Sequence, residues 1–398
     1  MHTRRSFLQT SAGVLAVAGS SATSFAANET INVGIVGSGG RARHLMKSLV
    51  NIPNARITVL CDVWDAALVE AKKMVPAAKT TKKSADVFND KDVHAVLIGT
   101  PDHQHVPLTI AACAAGKDVY VEKPLTHDLG EGKAVIAAQN DHKRIVQVGT
   151  QQRSMPHIAE ARELIQAGKI GKVLKVKMSW NRNANRVQRF PLGVDPKSVD
   201  WPTFLGGAKK QEFDEYRFRN WRWYWDFGGG IFTDLMVHWV DVAHWILDVD
   251  HPLKAVSLGE FVNAKGVWET PDTVQTILSY PGNVQMYFEG TFSNARNGAH
   301  IEFQGAEATV YIDRGRMELI PEKGKKVESK ETILGTGPKG ADFYDKPDGE
   351  LLHLTNWLDC VRSRKAPTAP AEAGVSGASA AHLANLAMRN GGVAEWKD

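Results

Sequence analysis

The sequence predicts an α/β domain with a parallel sheet, followed by an α+β domain with a large, mostly antiparallel sheet. Up to about residue 150, short apolar runs rich in valine and isoleucine alternate with helical stretches, which is the pattern of βαβ units. Beyond that point apolar residues recur at every second position, as in an antiparallel sheet with one covered face. A glycine-rich turn between the first strand and the first helix supports the assignment of the first domain.

The first 26 residues have the composition of an export signal. Arg4 and Arg5 are followed by Ser-Phe-Leu, as in a twin-arginine signal, and a small-residue cleavage pattern ends at Ala26. An ordinary secretory signal with a chance arginine pair is the alternative. Because twin-arginine export carries folded proteins, we expect the export machinery as a transient partner and a location in the periplasm or cell envelope, without a membrane anchor.

Composition limits the classes of function. The length of 398 residues suits two globular domains, which we place at residues 27–151 and 152–398, with the C-terminal helices packing back on the first. A net charge of +4 without a basic run gives no case for nucleic acid as a partner. The three cysteines are odd in number and far apart, so no disulfide framework is expected.

The first domain is predicted to contain five strands, each a short apolar run of the kind that is buried on both faces of a parallel sheet. These predicted strands cover residues 31–36, 57–61, 93–99, 118–121 and 145–148. The predicted helices between them cover residues 44–50, 66–74, 107–115 and 130–141.

The second domain is predicted to begin with a helix at 156–167 and to end with helices at 353–362 and 377–389. A strongly apolar helix is predicted at 231–247, after a long irregular segment at 181–227. Its strands alternate apolar and polar residues. They cover residues 173–180, 255–258, 273–280, 284–291, 300–304 and 309–312.

The turn after the first strand reads Gly37-x-Gly39-x-x-Ala42, in the strand-to-helix context that a dinucleotide-binding motif needs. Gly37 permits the tight turn, Gly39 lets the backbone approach a pyrophosphate, and Ala42 lets the helix pack closely. The positive end of the helix dipole then faces the phosphates.

Asp62 ends the second predicted strand at the spacing expected for the residue that binds the adenosine ribose. Its carboxylate accepts hydrogen bonds from ribose hydroxyls and repels a 2′-phosphate, so we predict NAD rather than NADP. Arg41 and Arg43 in the same region favour a phosphate and keep NADP as the less favoured alternative.

The helix at 231–247 carries three polar groups on one face, because Asp234, His238 and Asp241 follow one another at i, i+4 and i+7. Its other residues are apolar almost all round, which indicates burial. Three interpretations remain open from spacing alone: a general base oriented by Asp234, a metal site, or a satisfied pair in the core.

Another candidate is Lys123, which follows the predicted strand at 118–121 in the run Glu122-Lys123-Pro124. Ligands of open α/β sheets lie beyond the carboxyl ends of the strands, so a lysine here would face a bound cofactor. The next residue, Pro124, fixes the turn and thereby the direction of the lysine.

Taken together, these motifs resemble the Gfo/Idh/MocA oxidoreductases over nearly the whole mature length. Besides the glycine turn, the matching segments are Thr100-Pro101-Asp102-His103-x-His105, Glu122-Lys123-Pro124, Val148-Gly149-Thr150-Gln151-x-Arg153, Gly-Gly-Gly-x3-Asp234-x3-His238-x2-Asp241 and His353-x2-Asn356-Trp357-x-Asp359-Cys360-x-Arg362. The resemblance implies a Rossmann domain followed by an α/β domain whose sheet commonly forms the face of a homodimer or homotetramer.

The resemblance also implies roles for individual residues. Lys123, Asp234 and His238 are the expected catalytic set, with His238 as the base, and no metal is assigned. His105 is expected in the cofactor loop, with His103 in an accessory role. The expected cofactor-binding residues are Gly37, Gly39, Gly40, Arg41, Ala42, Asp62, Thr100, His105, Glu122, Lys123 and Gln151. The expected substrate-binding residues are Arg153, Asp234 and His238, to which the composition of the segment at 181–227, rather than the resemblance, adds Arg222 and Tyr224.

The segment at 181–227 is rich in aromatic residues and basic, and a loop of this length is typical of a functional element. We interpret it as the wall of a carbohydrate pocket, and the alternative is a loop that packs its own aromatic side chains under the sheet.

The leading hypothesis is an exported oxidoreductase that moves hydride between a secondary hydroxyl of a sugar or glycoside and tightly held NAD. A redox-neutral NAD-dependent glycoside hydrolase, with Tyr224 or Asp241 as an extra base, and a non-catalytic sugar-binding protein are the rivals.

Overall fold

A computed structural model describes residues 29–184, 187, 191–334 and 348–397. The predicted export signal at 1–26 therefore lies outside the described residues. Within these ranges no helix is long and apolar enough to cross a membrane. Cys61, Cys113 and Cys360 are all free and buried.

The first sheet has six parallel strands, with helices in the connections between them. The strands are β1 (Ile31–Val36), β2 (Ala55–Cys61), β3 (Lys79–Thr81), β4 (Ala95–Ile98), β5 (Asp118–Val121) and β6 (Val146–Val148). The helices are α1 (Gly40–Leu49), α2 (Asp65–Met74), α3 (Ser84–Asn89), α4 (His105–Ala114) and α5 (Gly132–Asp141). The strand order β3-β2-β1-β4-β5-β6 reverses direction between β1 and β4, which opens a crevice at the carboxyl ends of the strands.

The second sheet has nine strands, and every neighbouring pair is antiparallel except β7 with β10. Its strands are β7 (Val173–Asn181), β8 (Lys254–Glu260), β9 (Thr273–Tyr280), β10 (Val284–Thr291), β11 (Ala299–Gly305), β12 (Ala308–Asp313), β13 (Arg316–Pro321), β14 (Lys330–Ile333) and β15 (Val393–Glu395). The helices of this half are α6 (Pro156–Gln166), α7 (Trp201–Leu205), α8 (Glu215–Arg219), α9 (Val237–Leu247), α10 (Gly349–Ser363) and α11 (Ala371–Arg389). The predicted fold class is confirmed.

Among the described residues, one face of the second sheet is covered and the other is exposed. In β9, Val274 and Leu278 are buried, whereas Ile277 between them is half exposed. The buried side chains join those of the apolar helix α9 in a single core. The period of two in the sequence thus reports which face the helices cover.

Helix α10 comes from the C-terminal end of the chain but packs on the first domain. Its Leu354, Trp357 and Leu358 are fully buried in one cluster with Ile31 and Leu97 of the parallel sheet. Helix α11 follows and contributes to the core of the second sheet through several alanines.

Several short helices and strands of the structure were not predicted from the sequence. β3, α3, β13, β14 and β15 were not predicted, and the irregular segment contains the short helices α7 and α8. The apolar helix at 231–247 is also interrupted, because residues Phe232–Met236 form a π-helical turn before α9 begins. Such turns cluster at functional sites.

Candidate active site

A cleft of about 600 Å³ runs along the carboxyl ends of the first sheet and extends to the start of α9. Both halves of the chain contribute to its walls. Of the residues predicted to bind cofactor or substrate, those that line it are Gly37, Gly39, Gly40, Arg41, Asp62, Thr100, His105, Glu122, Lys123, Gln151, Arg222, Asp234 and His238. The structure therefore brings most of the predicted set together.

The glycine turn has the shape that a pyrophosphate needs. Gly37 has a φ of +82°, and an added Cβ would lie 2.7 Å from the backbone nitrogen of Thr100, so this position requires glycine. At Gly39 and Gly40 an added Cβ would meet no atom within 4 Å, because both residues face the cleft at the N-terminus of α1. Ala42 lies behind them, fully buried against β1 and β4.

Asp62 stands at the other end of the turn, directly after β2. Its carboxylate accepts hydrogen bonds from the backbone nitrogens of Ser38 (2.7 Å) and Trp64 (2.9 Å). Burial raises the pKa of Asp62 to about 6, although these two bonds oppose the shift. The group can accept hydrogen bonds from ribose hydroxyls at this edge of the cleft, which fits NAD.

The Arg41 guanidinium forms ion pairs with two carboxylates, those of Glu122 and Glu350. Its Nε donates to Glu122 Oε1 at 2.9 Å, and its Nη1 forms an ion pair with Glu350 in the first turn of α10. Burial raises the pKa of Glu350 to about 7, in spite of the neighbouring guanidinium. Because its guanidinium is held by these acids, Arg41 is not placed to receive a 2′-phosphate. Glu350 was not predicted, since it lies 309 residues along the chain from its partner.

Lys123 and Asp234 meet at the inner end of the cleft. The Lys123 Nζ donates to the backbone oxygen of Asp234 at 2.8 Å and to its Oδ1 at 3.1 Å. Arg222 donates to the same Oδ1 through Nε, also at 3.1 Å. Burial alone would raise the pKa of Asp234, but the two cations hold it well below its usual range. The carboxylate therefore stays ionised and fixes the ammonium in place.

His238 lies one turn further along, on α9. Its ring is packed at 5.0 Å from that of Trp180, with an interplanar angle of 32°. Burial and the nearby Lys123 ammonium lower its pKa well below the usual value. No described residue forms a hydrogen bond with either ring nitrogen. The imidazole is thus neutral and available to accept a proton.

Comparison with known proteins agrees with this geometry. A family model described as "Oxidoreductase family, NAD-binding Rossmann fold" matches residues 31–150, and one described as "GFO/IDH/MocA C-terminal domain" matches residues 158–311. The chain belongs to the Gfo/Idh/MocA family. It is an NAD-dependent oxidoreductase, and NAD is its cofactor.

Two proteins of similar sequence are named as dehydrogenases. The scyllo-inositol 2-dehydrogenase (NAD(+)) of Bacillus subtilis is 25% identical over 349 residues, which cover 85% of this chain and 88% of that protein. The levoglucosan dehydrogenase of Pseudarthrobacter phenanthrenivorans is 28% identical over 199 residues, which cover 48% and 51%. A solved structure of a levoglucosan dehydrogenase with NADH and levoglucosan has a TM-score of 0.72 at 18% identity and covers 93% of this chain and 100% of that one.

Within this Gfo/Idh/MocA protein, two residues that we expected at the substrate lie elsewhere. Arg153 forms a bidentate ion pair with Asp241, with its Nε 2.8 Å from Oδ2 and its Nη2 2.8 Å from Oδ1. Tyr224 is buried, and its hydroxyl donates to the backbone oxygen of Val267 at 2.8 Å. Neither lines the cleft, because each satisfies its polar group inside the second domain.

These contacts bear on the three interpretations of the polar face formed by Asp234, His238 and Asp241, which were a general base, a metal site and a core pair. Asp241 is fully buried by Arg153 and cannot join Asp234 and His238 around a metal. Across the described ranges no group of three or more His, Cys, Asp or Glu is placed to hold a metal ion. Asp234 does not hydrogen-bond to His238 either, so it orients Lys123 rather than the imidazole.

The two histidines of the loop after β4 have structural partners. The ring nitrogens of His105 lie 2.7 and 2.9 Å from the backbone oxygens of Pro124 and Thr100, so His105 joins the loop to the turn beside Lys123. His103 contacts the backbone oxygen of Phe204 at 2.8 Å, in the second domain. Burial lowers the pKa of both rings.

Sequence reasoning missed several residues in the cleft wall and one buried residue behind it. Asp102 is buried near Lys123 and Arg222, and burial raises the pKa of its carboxyl to about 8. Asp102 belongs to the motif Thr100-Pro101-Asp102-His103-x-His105, and that motif is the sequence signal that could have identified it. The missed wall residues include Trp64, Trp180 and Arg314. The wall residues Arg182, Phe218, Arg219 and Trp221 belong to the segment at 181–227 that we interpreted as the wall of a pocket.

Proposed function

We propose that the chain moves hydride between a secondary hydroxyl of a sugar or glycoside and NAD. The observation that carries this proposal is the neutral His238 beside the fixed Lys123–Asp234 pair in one cleft. The named substrates of the two relatives, scyllo-inositol and levoglucosan, are rings that carry secondary hydroxyls, which supports the same class here.

Each of the three residues has a distinct part. His238 takes the proton from the reacting hydroxyl, because its imidazole is neutral and has no hydrogen-bond partner among the described residues. Lys123 stabilises the negative charge that develops on the oxygen. Asp234 holds the ammonium in position through the 3.1 Å contact and is itself held by Arg222. NAD, when bound, accepts the hydride and can return it.

The wall around His238 suits a sugar ring. Trp180 lies against the imidazole, and Trp221 is covered by Arg222 at 4.2 Å from the guanidinium carbon to the ring centroid. Aromatic faces stack on sugar rings, and guanidinium groups donate paired hydrogen bonds to hydroxyls or carboxylates.

We also propose that the protein is exported with its NAD and works in the periplasm or cell envelope. The twin-arginine sequence at Arg4 and Arg5 is the support for this location. Outside the cytoplasm there is no pool of nicotinamide nucleotide, so the cofactor must be retained and recharged by a second substrate. The cycle is then a two-substrate exchange in which the hydride returns.

The hydrolase alternative needs an additional base for a ring proton. The two candidates for this base do not line the cleft. The Tyr224 hydroxyl donates to the backbone oxygen of Val267, and Asp241 forms an ion pair with Arg153. The non-catalytic alternative does not account for an ordered lysine, aspartate and histidine in one cleft. We therefore place the oxidoreductase first.

The test is a single-turnover experiment with the purified mature protein loaded with NAD. Sugars, cyclitols and aryl glycosides are added one by one while the absorbance band of reduced nicotinamide is followed. We expect a rise in that band with at least one secondary alcohol, without release of the aryl group. Release of the aryl group without added oxidant would instead establish the hydrolase, and no change with any compound would refute both.

A further inference from the structure

The second domain completes the adenosine half of the cofactor site. Residues 198–219, which we call the adenosine strap, cross from the second domain over the carboxyl ends of β2, β3 and β4. Sequence reasoning assigned this segment to the substrate. The structure divides it, because Trp221 and Arg222 lie near Asp234 whereas the strap lies near Asp62.

The strap is attached to the loop after β2. The backbone nitrogen of Asp200 donates to the backbone oxygen of Val63 at 2.9 Å, and Trp64 and Val199 form an antiparallel bridge. Because this loop starts at Asp62, the attachment lies beside the carboxylate that binds the adenosine ribose.

The strap also contacts the loops after β3 and β4. Lys82 donates to the backbone oxygen of Ser198 at 3.4 Å. Gln104 lies 3.2 Å from the backbone oxygens of both Thr203 and Phe204. All three loops that border the adenosine end of a cleft of this fold are thus tied to one segment of the second domain.

The side chains at this end are flat and apolar or cationic. The ring of Trp64 packs edge-on against Phe218 at 5.6 Å, and the guanidinium carbon of Arg219 lies 4.7 Å from its centroid. All three line the cleft. Indole and guanidinium faces are the groups on which a purine base stacks.

We infer that Trp64, Phe218 and Arg219 form an adenine-binding subsite, and that NAD leaves only when the strap separates from the loops after β2, β3 and β4. The inference deepens the proposed retention of NAD and rests on that part of the proposed function. It does not depend on which sugar is oxidised, because no substrate contact enters the argument.

The test compares Arg219→Ala with Arg389→Ala. Arg219 is exposed, so its loss leaves the core intact, and Arg389 is a matched control because it covers Trp225 at the same 4.7 Å but lies outside the cleft. Dissociation of NADH is followed by displacement with excess NAD. We expect Arg219→Ala to release NADH about threefold to tenfold faster, in line with the loss of one cation–π contact, and Arg389→Ala to behave as the wild type.

Reduced nicotinamide mononucleotide, which lacks the adenosine, separates the subsite from a general loosening of the protein. Its affinity should be the same in the wild type and in both variants. The inference is overturned if Arg219→Ala releases NADH at the wild-type rate, or if it weakens the mononucleotide as much as it weakens NADH. Failure to oxidise any sugar would leave this result unaffected, so the two proposals can fail separately.

Discussion

At the scale of single residues, different side chains in the cleft hold the cation and accept the proton. Asp234 holds the Lys123 ammonium, and His238 is the proposed base. The Lys123 Nζ lies 3.1 Å from Asp234 Oδ1, and together with Arg222 it holds the pKa of that carboxyl well below its usual range. His238 lies close to the same cation but has no hydrogen bond to the carboxylate, so its imidazole is held neutral. A neutral base beside a fixed cation suits the removal of a proton from an alcohol.

The pH dependence of sugar oxidation should report this neutral imidazole. The pKa of His238 lies below the usual 6.5, so the base form persists as the pH falls and kcat/KM should stay level to below pH 6.5 before it declines. The pKa of Asp102 is raised to about 8 and that of Glu350 to about 7, so a decline that begins above pH 6.5 would contradict the assignment only if Asp102→Asn and Glu350→Gln both retain it. His238→Ala should lower kcat by about 10²- to 10⁴-fold with NAD still bound. The exposed His142→Ala is the control.

Cofactor choice should depend on one charge. Asp62→Asn keeps an acceptor oxygen but removes the negative charge that repels a 2′-phosphate, while Arg43 and Lys82 still line the cleft. We expect the ratio of the Kd for NADPH to the Kd for NADH to fall about tenfold or more, since juxtaposed like charges cost several kcal/mol. The exposed Asp92→Asn should leave the ratio unchanged. An unchanged ratio in Asp62→Asn would place the selectivity elsewhere.

Sequence reasoning found the residues whose neighbours in the chain define their role. Gly37 and Asp62 are examples, because a strand end fixes where each side chain lies. It failed for Arg153 and Tyr224, which have suitable chemistry but are satisfied by Asp241 and Val267. Their partners are 88 and 43 residues away, and no local pattern reports such a pairing.

At the scale of elements, the short strands were not predicted because local sequence patterns carry too little information about them. β3 has three residues and none of them is buried, so it carries no apolar signal, and β15 lies at the sheet edge with one buried residue. The long apolar strands of both sheets were predicted because burial on one or both faces dictates their residues. The π-helical turn at Phe232–Met236 was invisible because its composition matches that of the helix that follows.

Helix α10 is one of the C-terminal helices that we expected to pack back on the first domain, and its buried face should stabilise that domain. Leu354 is fully buried against the parallel sheet, so Leu354→Ala should lower the free energy of unfolding by about 2–5 kcal/mol. Leu352 in the same helix is exposed, and Leu352→Ala should change it by less than about 0.5 kcal/mol. Urea unfolding of the two variants measures both values, and equal effects would show that α10 does not stabilise the first domain.

At the scale of the whole molecule, the cleft belongs to both domains. The first domain supplies the glycine turn and Lys123, and the second supplies Asp234, His238 and the adenosine strap. Helix α10 returns to the first domain and places Glu350 on Arg41, so the chain crosses between the domains more than once around the cofactor. We therefore expect the proposed retention of NAD to depend on the assembled molecule rather than on the first domain alone.

The open face of the second sheet leads to the last prediction. Val393, Val256 and Ile277 are neighbours across β15, β8 and β9, and each is 44–48% exposed on the face that none of the described helices covers. Apolar side chains in a row on a regular sheet are typical of an interface between subunits, so we expect the homodimer or homotetramer to form through this face.

A double variant tests that interface. Val256→Glu with Ile277→Glu places charges in the middle of the row, where burial without a partner is costly. Sedimentation should then show the monomer mass of about 44 kDa in place of the larger assembly. Val69→Glu places the same charge on an exposed apolar residue of α2, in the first domain and away from this sheet, and should leave the assembly intact. A wild-type protein that is already monomeric, or a double variant that keeps its mass, would show that the subunits do not meet at this row.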